Sequence, residues 1–264
     1  MKKELKKLIY RFWYSFLSAI DQKGDILFMN WGYDNENEEI PLTASDEPNR
    51  YPIQLYHRLA QKVDIKCKDI LEIGCGRGGG LDYIARTFKP ATALGIDLEQ
   101  RATDFGNKHF SAEGLSFKQG DAQNLPFDDN AFDVVLNVES SHRYPDMHKF
   151  LTHVERVLKP NGYFLFTDFR NSEKIPELLE MIKLFDFEWI DKERINKQVL
   201  SGLTKDSERR RQLVKKYVPG FLHKTALNFA GVTDSKIYKM IESGEYEYFI
   251  YILRKNNLLI NSSY

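Results

Sequence analysis

The stretch Asp69-Ile70-Leu71-Glu72-Ile73-Gly74-Cys75-Gly76-Arg77-Gly78-Gly79-Gly80 decides the fold. Its first five residues are typical of a buried parallel strand, and a glycine-rich turn follows them directly. This order of strand, turn and helix is the first half of a nucleotide-binding unit, in which the turn amides and the helix N-terminus face the ligand. The helix is indicated by apolar residues at helical spacing, which are Leu81, Ile84, Ala85 and Phe88.

The glycine turn fits two kinds of nucleotide site. Residues 74–79 satisfy the dinucleotide pattern G-x-G-x-x-G, and Asp97 closes the next predicted strand where a ribose-binding acid is expected in NAD enzymes. Glu72 and the alternating glycines at 74, 76 and 78 also fit the acid-then-glycine signature of class I S-adenosylmethionine-dependent methyltransferases. In that class the turn faces a methionine tail rather than a pyrophosphate. The turn alone therefore does not distinguish an NAD site from an S-adenosylmethionine site.

Length and composition favour one neutral domain with an elaboration. The chain has 264 residues, enough for a sizeable core, and its 38 basic residues balance 38 acidic ones. No overall field therefore favours a nucleic-acid partner. The two cysteines, Cys67 and Cys75, flank one strand and lack companions for a disulfide framework or a metal site. We therefore expect a reducing, cytoplasmic setting.

The N-terminal residues 5–20 have the pattern of a basic amphipathic helix, with apolar side chains at i, i+3 and i+4 and basic ones opposite. Arg11 interrupts the apolar run and no small-residue cleavage site follows, so a secretion signal is rejected. Either the helix packs on the domain as part of a lid, or it rests on a membrane surface, which matters if the substrate is a lipid. No apolar run is long enough for a transmembrane helix.

Two further segments precede the first strand. Residues 28–33 form an aromatic, irregular stretch, and residues 49–60 start a second amphipathic helix. That helix either packs against the glycine strand or closes over a bound cofactor with Tyr51, Gln54 and Tyr56. Aromatic faces beside a sulfonium cation are electrostatically favourable.

From residue 69 to residue 170 apolar strands alternate with helices. This pattern predicts a parallel sheet that is covered on both faces and binds ligands at the carboxyl ends of its strands. Past residue 170 the alternation weakens. We divide the chain into an N-terminal helical lid segment (1–66), a cofactor-binding core (67–191), and a helical cap with the closing strand of the same domain (192–264). The strands predicted after the first are 92–97, 115–119, 132–138, 163–168, 187–190 and 246–253, with a turn at 159–162.

The chain resembles the class I S-adenosylmethionine-dependent methyltransferases from residue 71 to residue 170, in its motifs and in their order. The resemblance implies an α/β, Rossmann-like fold with a seven-stranded sheet, mostly parallel with an antiparallel last strand. It also implies a helical N-terminal lid, a helical cap before the last strand, S-adenosyl-L-methionine as cofactor and S-adenosyl-L-homocysteine as product. The matching motifs are 71–80, 95–97, 120–127, 132–135 and 157–163.

A narrower match resembles the branch of phthiotriol dimycocerosate methyltransferases and bacterial sugar or polyketide O-methyltransferases. Two positions depart from the pattern: Asn161 stands where glycine is usual, and Trp31 where tyrosine is common. Neither touches the expected chemistry. The motifs of this branch lie at 28–33, 49–51, 54–57, 137–142, 226–231 and 243–245.

The resemblance implies cofactor contacts in the order of the strands. The glycine turn and Glu72 hold the methionine end, and Asp97 accepts from both ribose hydroxyls. Asp121 accepts from the adenine amino group, while the Ala122 amide donates to the ring. The full predicted set is Glu72, Gly74, Gly76, Gly78, Asp97, Leu98, Asp121, Ala122, Asn137, Tyr51 and Gln54.

A candidate catalytic pair lies at the ends of the fourth and fifth strands. His142 follows the fourth strand and Asp168 ends the fifth, so the two side chains can meet across the cleft. His142 is predicted to take the proton of a substrate hydroxyl while Asp168 fixes its tautomer. Arg143, Tyr144 and the cap from 192 to 240 are the predicted substrate contacts.

The sequence therefore predicts an O-methyltransferase that acts on a hydroxyl of a small molecule, one that is a bulky polyketide, lipid or glycosylated natural product. Transfer to carbon or nitrogen is the alternative within the same fold. A non-catalytic binder of S-adenosylmethionine and an NAD dehydrogenase are further alternatives. No metal site is predicted, although a divalent ion stays open because some sugar methyltransferases use one. The oligomeric state is left open too.

Overall fold

A computed structural model describes residues 21, 24–36, 38 and 40–257. The predicted helix at 5–20 lies outside the described residues. Within the described part, one seven-stranded sheet forms the centre of the molecule, in the order β3-β2-β1-β4-β5-β7-β6. Its strands are β1 (Asp69–Ile73), β2 (Thr92–Asp97), β3 (Leu115–Gln119), β4 (Phe132–Val138), β5 (Leu158–Asn171), β6 (Phe187–Arg194) and β7 (Tyr246–Lys255).

The strand directions confirm the predicted fold class. β1 pairs in parallel with β2 and β4, and β4 pairs in parallel with β5. β7 runs antiparallel to both of its neighbours, β5 and β6. The carboxyl ends of β1, β2, β4 and β5 therefore lie at one edge of the sheet, where parallel sheets bind their ligands. The predicted domain boundary at 191 falls inside β6, because that strand continues to Arg194.

Helices cover both faces of the sheet, and three of them form a cap between β6 and β7. The cap helices are α6, α7 and α8, as the sequence predicted. None of the described helices is long and apolar enough to cross a bilayer. The helices are α1 (Arg50–Ala60), α2 (Gly79–Phe88), α3 (Gln100–His109), α4 (Met147–Val157), α5 (Ile175–Ile182), α6 (Asn196–Tyr217), α7 (His223–Phe229) and α8 (Lys236–Glu242).

The start of β5 differs from the expected turn at 159–162. Leu158 already pairs with Phe132, whereas Tyr163 pairs with Val134, so four residues bulge opposite a single one. Asn161 adopts a φ of +63° in this bulge, which asparagine tolerates better than most residues. Asparagine in place of the usual glycine therefore adds little conformational strain at position 161. The segment ends α4 as expected but remains in the sheet.

Two apolar layers enclose the sheet. One face packs against α1, α2 and the cap through residues such as Ile53, Leu81 and Leu203. The other packs against α4 and α5 through residues such as Phe150 and Leu178. Aliphatic and aromatic side chains at helical spacing dominate both layers, so burial of these faces drives the assembly. The carboxyl edge of the sheet lies outside these two layers and is occupied by polar residues.

Candidate active site

The turn between β1 and α2 forms a cradle at the carboxyl edge of the sheet. Gly76 has a φ of +55°, and among the described atoms a Cβ built there would meet the Met29 sulfur alone, at 3.9 Å. A Cβ at Gly74 would instead lie 2.3 Å from Ser140 Oγ. The turn is thus closed against protein at Gly74 and open at Gly76, where a ligand can approach the backbone.

The far end of the turn is closed as well. Gly78 precedes α2 with a φ of +88°, and a Cβ there would lie 2.4 Å from the Phe117 ring. A Cβ at Gly80 would lie 1.9 Å from the Tyr56 ring. Gly78 and Gly80 therefore allow α2 to pack closely against Phe117 and Tyr56, whereas Gly76 leaves the cradle open.

Asp97, the last residue of β2, faces this cradle. Its Oδ2 accepts from the Gly76 amide and its Oδ1 from the Glu99 amide, both at 2.9 Å. Burial raises the pKa of Asp97, although the two amides act in the opposite direction. The neighbouring Leu98 is 56% exposed. A carboxylate fixed in this way keeps lone pairs for two further donors, such as a pair of hydroxyls.

Glu72 lies beneath the turn and is fully buried. Its Oε1 accepts from the Tyr56 hydroxyl at 2.8 Å, and its Oε2 has no hydrogen-bond partner among the described residues. Burial raises the pKa of Glu72 to about 7, against the effect of the Tyr56 hydrogen bond. An unpartnered buried oxygen at this place can accept from a ligand amino group.

Asn137 lies on the other side of the turn, near the end of β4. Its amide nitrogen donates to Ile73 O and Ser140 Oγ at 2.8 Å and to the Tyr144 hydroxyl at 3.0 Å. Its Oδ1 has no partner among the described residues although it is buried. This oxygen is a second acceptor available to a ligand at the glycine turn. Tyr144, a predicted substrate contact, thus belongs to the wall of the cradle.

The residues predicted for the adenine follow β3. Ala122 is buried, and Asp121 is exposed, with its Oδ1 accepting from the Gln123 amide at 2.9 Å. β3, the strand that precedes them, lies next to β2 in the sheet. The residues predicted for methionine, ribose and adenine therefore follow the ends of β1, β2 and β3 in that order along the sheet edge.

His142 and Asp168 meet across the cleft. The Nδ1 of His142 lies 2.8 Å from Asp168 Oδ1, and the His142 amide donates to Asp168 Oδ2 at 3.0 Å. Ser141 Oγ donates to the same Oδ2 at 2.6 Å, and an Arg170 nitrogen lies 3.1 Å from it. On the opposite side of the ring, Arg143 Nε donates to His142 Nε2 at 2.9 Å.

These contacts set the charge of the pair. Although burial opposes it, Arg170 and His142 hold the pKa of Asp168 well below its usual range. Burial lowers the pKa of His142, and the carboxylate of Asp168 only partly offsets this. At neutral pH the pair is therefore an ionised Asp168 beside a neutral His142, with Nδ1–H toward the carboxylate and a basic Nε2.

Known proteins share this organisation. A family model described as a methyltransferase domain matches residues 71–166. A phthiotriol/phenolphthiotriol dimycocerosates methyltransferase of Mycobacterium tuberculosis is 41% identical over 251 residues, which cover 95% of this chain and 93% of that protein. The chain belongs to the class I S-adenosylmethionine-dependent methyltransferases.

Two further comparisons bear on this methyltransferase. A fatty-acid O-methyltransferase of Mycolicibacterium smegmatis is 40% identical over 253 residues, covering 96% of this chain and 90% of that protein. The structure of geranyl diphosphate C-methyltransferase from Streptomyces coelicolor, with Mg²⁺, geranyl diphosphate and S-adenosyl-L-homocysteine, superimposes with a TM-score of 0.64. That match covers 89% of this chain and 94% of the other at 15% identity, which shows the shared fold.

The cradle of the methyltransferase fits its cofactor, S-adenosyl-L-methionine. The open face of Gly76 leaves room at the backbone, and the oxygens of Glu72 and Asn137 are acceptors for an amino group. Asp97 has a fixed carboxylate with lone pairs that suit the two hydroxyls of a ribose. The chemistry of these residues thus matches the methionine and ribose parts of the cofactor. Within the part of the chain that the structure describes, no group of three histidine, cysteine or acidic side chains is placed to hold a metal ion.

Two predicted cofactor contacts of the methyltransferase do not face the cradle in this structure. Tyr51 packs against the backbone of Gly32 at the start of α1. Gln54 lines a small cavity together with Tyr33 and His57, and its Oε1 has no partner among the described residues. The side chain of α1 that does reach the turn is Tyr56, because residues 54 and 56 point to different faces of a helix. A role of Tyr51 and Gln54 in cofactor binding remains a prediction.

The segment before α1 covers the site as a lid, here residues 24–36. The Trp31 amide donates to Glu139 Oε1 at 2.6 Å, and its ring stacks on Phe169 at 4.3 Å. The Phe169 ring lies 4.4 Å from the ring of His142. Burial raises the pKa of Glu139 to about 8, although the Tyr248 hydroxyl and the Trp31 amide both donate to it. Glu139 thus connects the lid to the segment after β4 that carries His142.

A second contact fixes the start of the lid. Arg77, inside the glycine turn, is almost fully buried and donates to Asp21 O at 2.6 Å, with the Asp21 carboxylate at 3.3 Å. Its guanidinium lies 3.7 Å from the centre of the Phe105 ring. The glycines of the turn predict a ligand site but not the contact between Arg77 and Asp21. The signal available in the sequence was a cationic residue, Arg77, among the glycines of the motif.

An apolar cavity of about 90 Å³ lies between the lid and the cap of the methyltransferase. Met29 and Trp31 line it from the lid, and Tyr217, Val218 and Phe229 from the cap. It adjoins both halves of the site, because Met29 faces Gly76 and Phe229 lies under the Arg143 guanidinium, 5.5 Å away. Cavities of roughly 150 Å³ hold a benzene-sized ligand. A bulky acceptor therefore requires the lid or the cap to move outward.

Proposed function

We propose that this methyltransferase methylates a hydroxyl oxygen of a bulky, apolar acceptor of the lipid or polyketide type. The apolar cavity between the lid and the cap, whose wall residue Phe229 lies against the Arg143 guanidinium, supports this acceptor class. The names of the two similar proteins support it too, since one names phthiotriol dimycocerosates and the other fatty acids. The general base is His142, and Asp168 is its positioning residue.

The single observation that carries the proposal is the hydrogen bond between His142 Nδ1 and Asp168 Oδ1, 2.8 Å long. It fixes the tautomer in which Nε2 holds the lone pair. The lowered pKa of His142 keeps that nitrogen neutral near pH 7, so it can accept a proton from a hydroxyl.

The proton moves from the acceptor hydroxyl to His142 Nε2. Arg143 Nε occupies this nitrogen and must leave it before a hydroxyl can approach. The guanidinium already lies over the Phe229 ring, which offers it a cation–π contact on the cavity wall. After the transfer, the imidazolium faces the ionised Asp168, whose charge stabilises it.

The cofactor supplies an electrophilic methyl carbon when bound. Glu72, Asn137 and the open backbone at Gly76 would hold its methionine end, and Asp97 its ribose. The lid excludes water, because Trp31 closes over Phe169 and is fixed by Glu139. In a dry site the contact between His142 and Asp168 is stronger than in water, and proximity supplies much of the rate.

The experiment that tests the proposal uses a methyl-labelled donor and a panel of long-chain alcohols, matched amines and matched chains without a heteroatom. Mass spectrometry of the products locates the label. We expect label on oxygen, and less product when the alkyl chain is shortened. Label on nitrogen or carbon, or equal turnover of a short polar alcohol, contradicts the proposal.

A second candidate is methylation of a carboxylate oxygen. The observation that favours it is the Arg143 guanidinium at His142 Nε2, because guanidinium groups pair with carboxylates in a bidentate manner. A carboxylate has no proton to lose, so His142 would not act as a base. Turnover by the parent separates the two: kcat/KM on a long-chain carboxylic acid well above that on the matched alcohol, with most of the acid activity kept in His142→Ala, would identify the carboxylate as the acceptor.

A further inference from the structure

The tip of the cap, residues 215–224, carries a protruding aromatic side chain. Phe221 is 86% exposed, in the short turn Gly220–Leu222 between α6 and α7. A Cβ built on the neighbouring Gly220 would meet no described atom within 4 Å. The turn therefore projects from the body of the cap, and its phenylalanine packs on little of the protein. Such a side chain is costly in water.

The chain segment that forms this tip carries charge of one sign, although the lid residue Asp25 pairs with Lys216. Residues 209–233 contain neither aspartate nor glutamate, although the whole chain is neutral. Lys215, Lys216 and Lys224 are exposed on the two sides of Phe221. The Lys and Arg residues of the stretch are Arg209, Arg210, Arg211, Lys215, Lys216 and Lys224.

The tip also adjoins the acceptor cavity. Tyr217 and Val218 line that cavity and directly precede the projecting turn. Lid residue Asp25 accepts from Lys216 and from the Tyr217 hydroxyl, so the lid and the tip meet here. A surface that touches the tip therefore lies close to both elements that must move for a bulky acceptor to enter.

We propose that the cap tip docks on an anionic lipid surface. Phe221 inserts at the level between headgroups and acyl chains, where aromatic rings are favoured, and the flanking lysines contact the headgroup phosphates. Charge complementarity selects this occupant, because the exposed Lys215 and Lys224 flank Phe221 in a stretch of chain without acidic residues and match an anionic plane. Docking itself does not depend on the proposed function. The consequence of docking, that a lipid acceptor passes from the bilayer into the cavity, rests on the proposed function.

The test is sedimentation of the full chain with vesicles of phosphatidylglycerol and phosphatidylcholine, against vesicles of phosphatidylcholine alone. We expect binding to the anionic vesicles that weakens with salt. Phe221→Ala should lower the partition coefficient about ten-fold, and Lys215→Gln and Lys224→Gln about five-fold each. Leu184→Ala is the matched control, since Leu184 is 71% exposed beside Lys183 just after α5, away from the cap.

The outcomes separate docking from the proposed function. Absence of binding, equal binding to both vesicle types, or equal losses in Phe221→Ala and Leu184→Ala overturns the docking proposal. So does self-association that Phe221→Ala abolishes, because the tip would then hold a second copy of the chain. Turnover of a detergent-dispersed alcohol tests the proposed function by itself, and Phe221→Ala should leave that turnover unchanged.

Discussion

Arg143 donates its Nε–H to His142 Nε2 at 2.9 Å, on the ring nitrogen opposite the one that Asp168 holds. The imidazole is therefore fixed from both sides, by an anion at Nδ1 and a cation at Nε2. The anion raises its pKa and the cation lowers it, and burial makes the net shift downward. A neutral base at physiological pH results.

Removal of Arg143 should move the pH dependence of the enzyme. Under the proposed mechanism the neutral form of His142 is the active one, so activity is lost as the pH falls through its pKa. Arg143 lowers that pKa, so Arg143→Ala raises it and the acidic limb of kcat/KM shifts to higher pH. The pH profile measures this directly. Arg143→Lys keeps a positive charge and should shift less, and an unmoved limb in both variants would show that the contact does not tune the base.

Loss of the Asp168 carboxylate should impair turnover far more than cofactor binding. Asp168→Asn cannot fix the Nδ1–H tautomer in the same way, and we expect kcat to fall by about two to four orders of magnitude. Calorimetry should give an affinity for S-adenosyl-L-homocysteine within a few-fold of the parent. The control is Asp133→Asn, at the opposite end of β4, where the carboxylate pairs with Lys159. Equal effects of the two changes would rule out a specific role for Asp168.

Glu139 should make folding stability fall as the pH rises. Its pKa is about 8 in the folded chain and about 4.3 in an unfolded one. The folded state therefore binds more protons between these values, and the contribution of Glu139 to stability declines until the pH passes its folded pKa. Glu139→Gln removes this decline and keeps an oxygen for Trp31 and Tyr248. Relative to the parent, the variant should gain on the order of 4 kcal/mol between pH 5 and pH 9.

Urea unfolding at both pH values measures the Glu139 effect. Glu72 has a raised pKa as well, but it is present in both proteins and cancels in the difference. A parent-to-variant difference that is the same at both pH values would mean that Glu139 is not the group whose protonation is linked to folding.

Two glycines of the turn should respond oppositely to alanine. Gly76→Ala places a methyl group in the open cradle, so affinity for S-adenosyl-L-homocysteine should fall about ten-fold or more, with a stability loss of only about 1–2 kcal/mol for the left-handed backbone. Gly80→Ala meets the Tyr56 ring and should destabilise the fold. Calorimetry and thermal unfolding of both variants test this pair, and the reverse pattern would place the ligand elsewhere.

The architecture was largely predictable, because strand and helix periods are local properties of the sequence. β1, β2, β3 and β4 have the predicted bounds, since each is a short apolar or alternating run that ends at a turn residue. The start of β5 was not predictable from the Pro160–Gly162 signal. Pairing with β4 keeps that bulged segment in the sheet, and pairing is a tertiary effect.

The site was predictable where a strand end places a side chain, as for Asp97, His142 and Asp168. The site was not predictable where a long side chain contacts a residue that is distant in the sequence, because many such partners are available. The contact of Glu139 with the lid and that of Arg77 with Asp21 join residues far apart in the chain. For Gln54 the structure shows a position in a small cavity beside Tyr33 and His57, and its role in cofactor binding remains a prediction.

The most direct test of His142 as the general base is the turnover of His142→Ala on an alcohol acceptor, beside its affinity for S-adenosyl-L-homocysteine. His153→Ala, on α4, is the matched control. We expect kcat to fall by about two to four orders of magnitude in His142→Ala alone, with S-adenosyl-L-homocysteine bound nearly as well as by the parent. Unchanged turnover on alcohols in His142→Ala would contradict the mechanism.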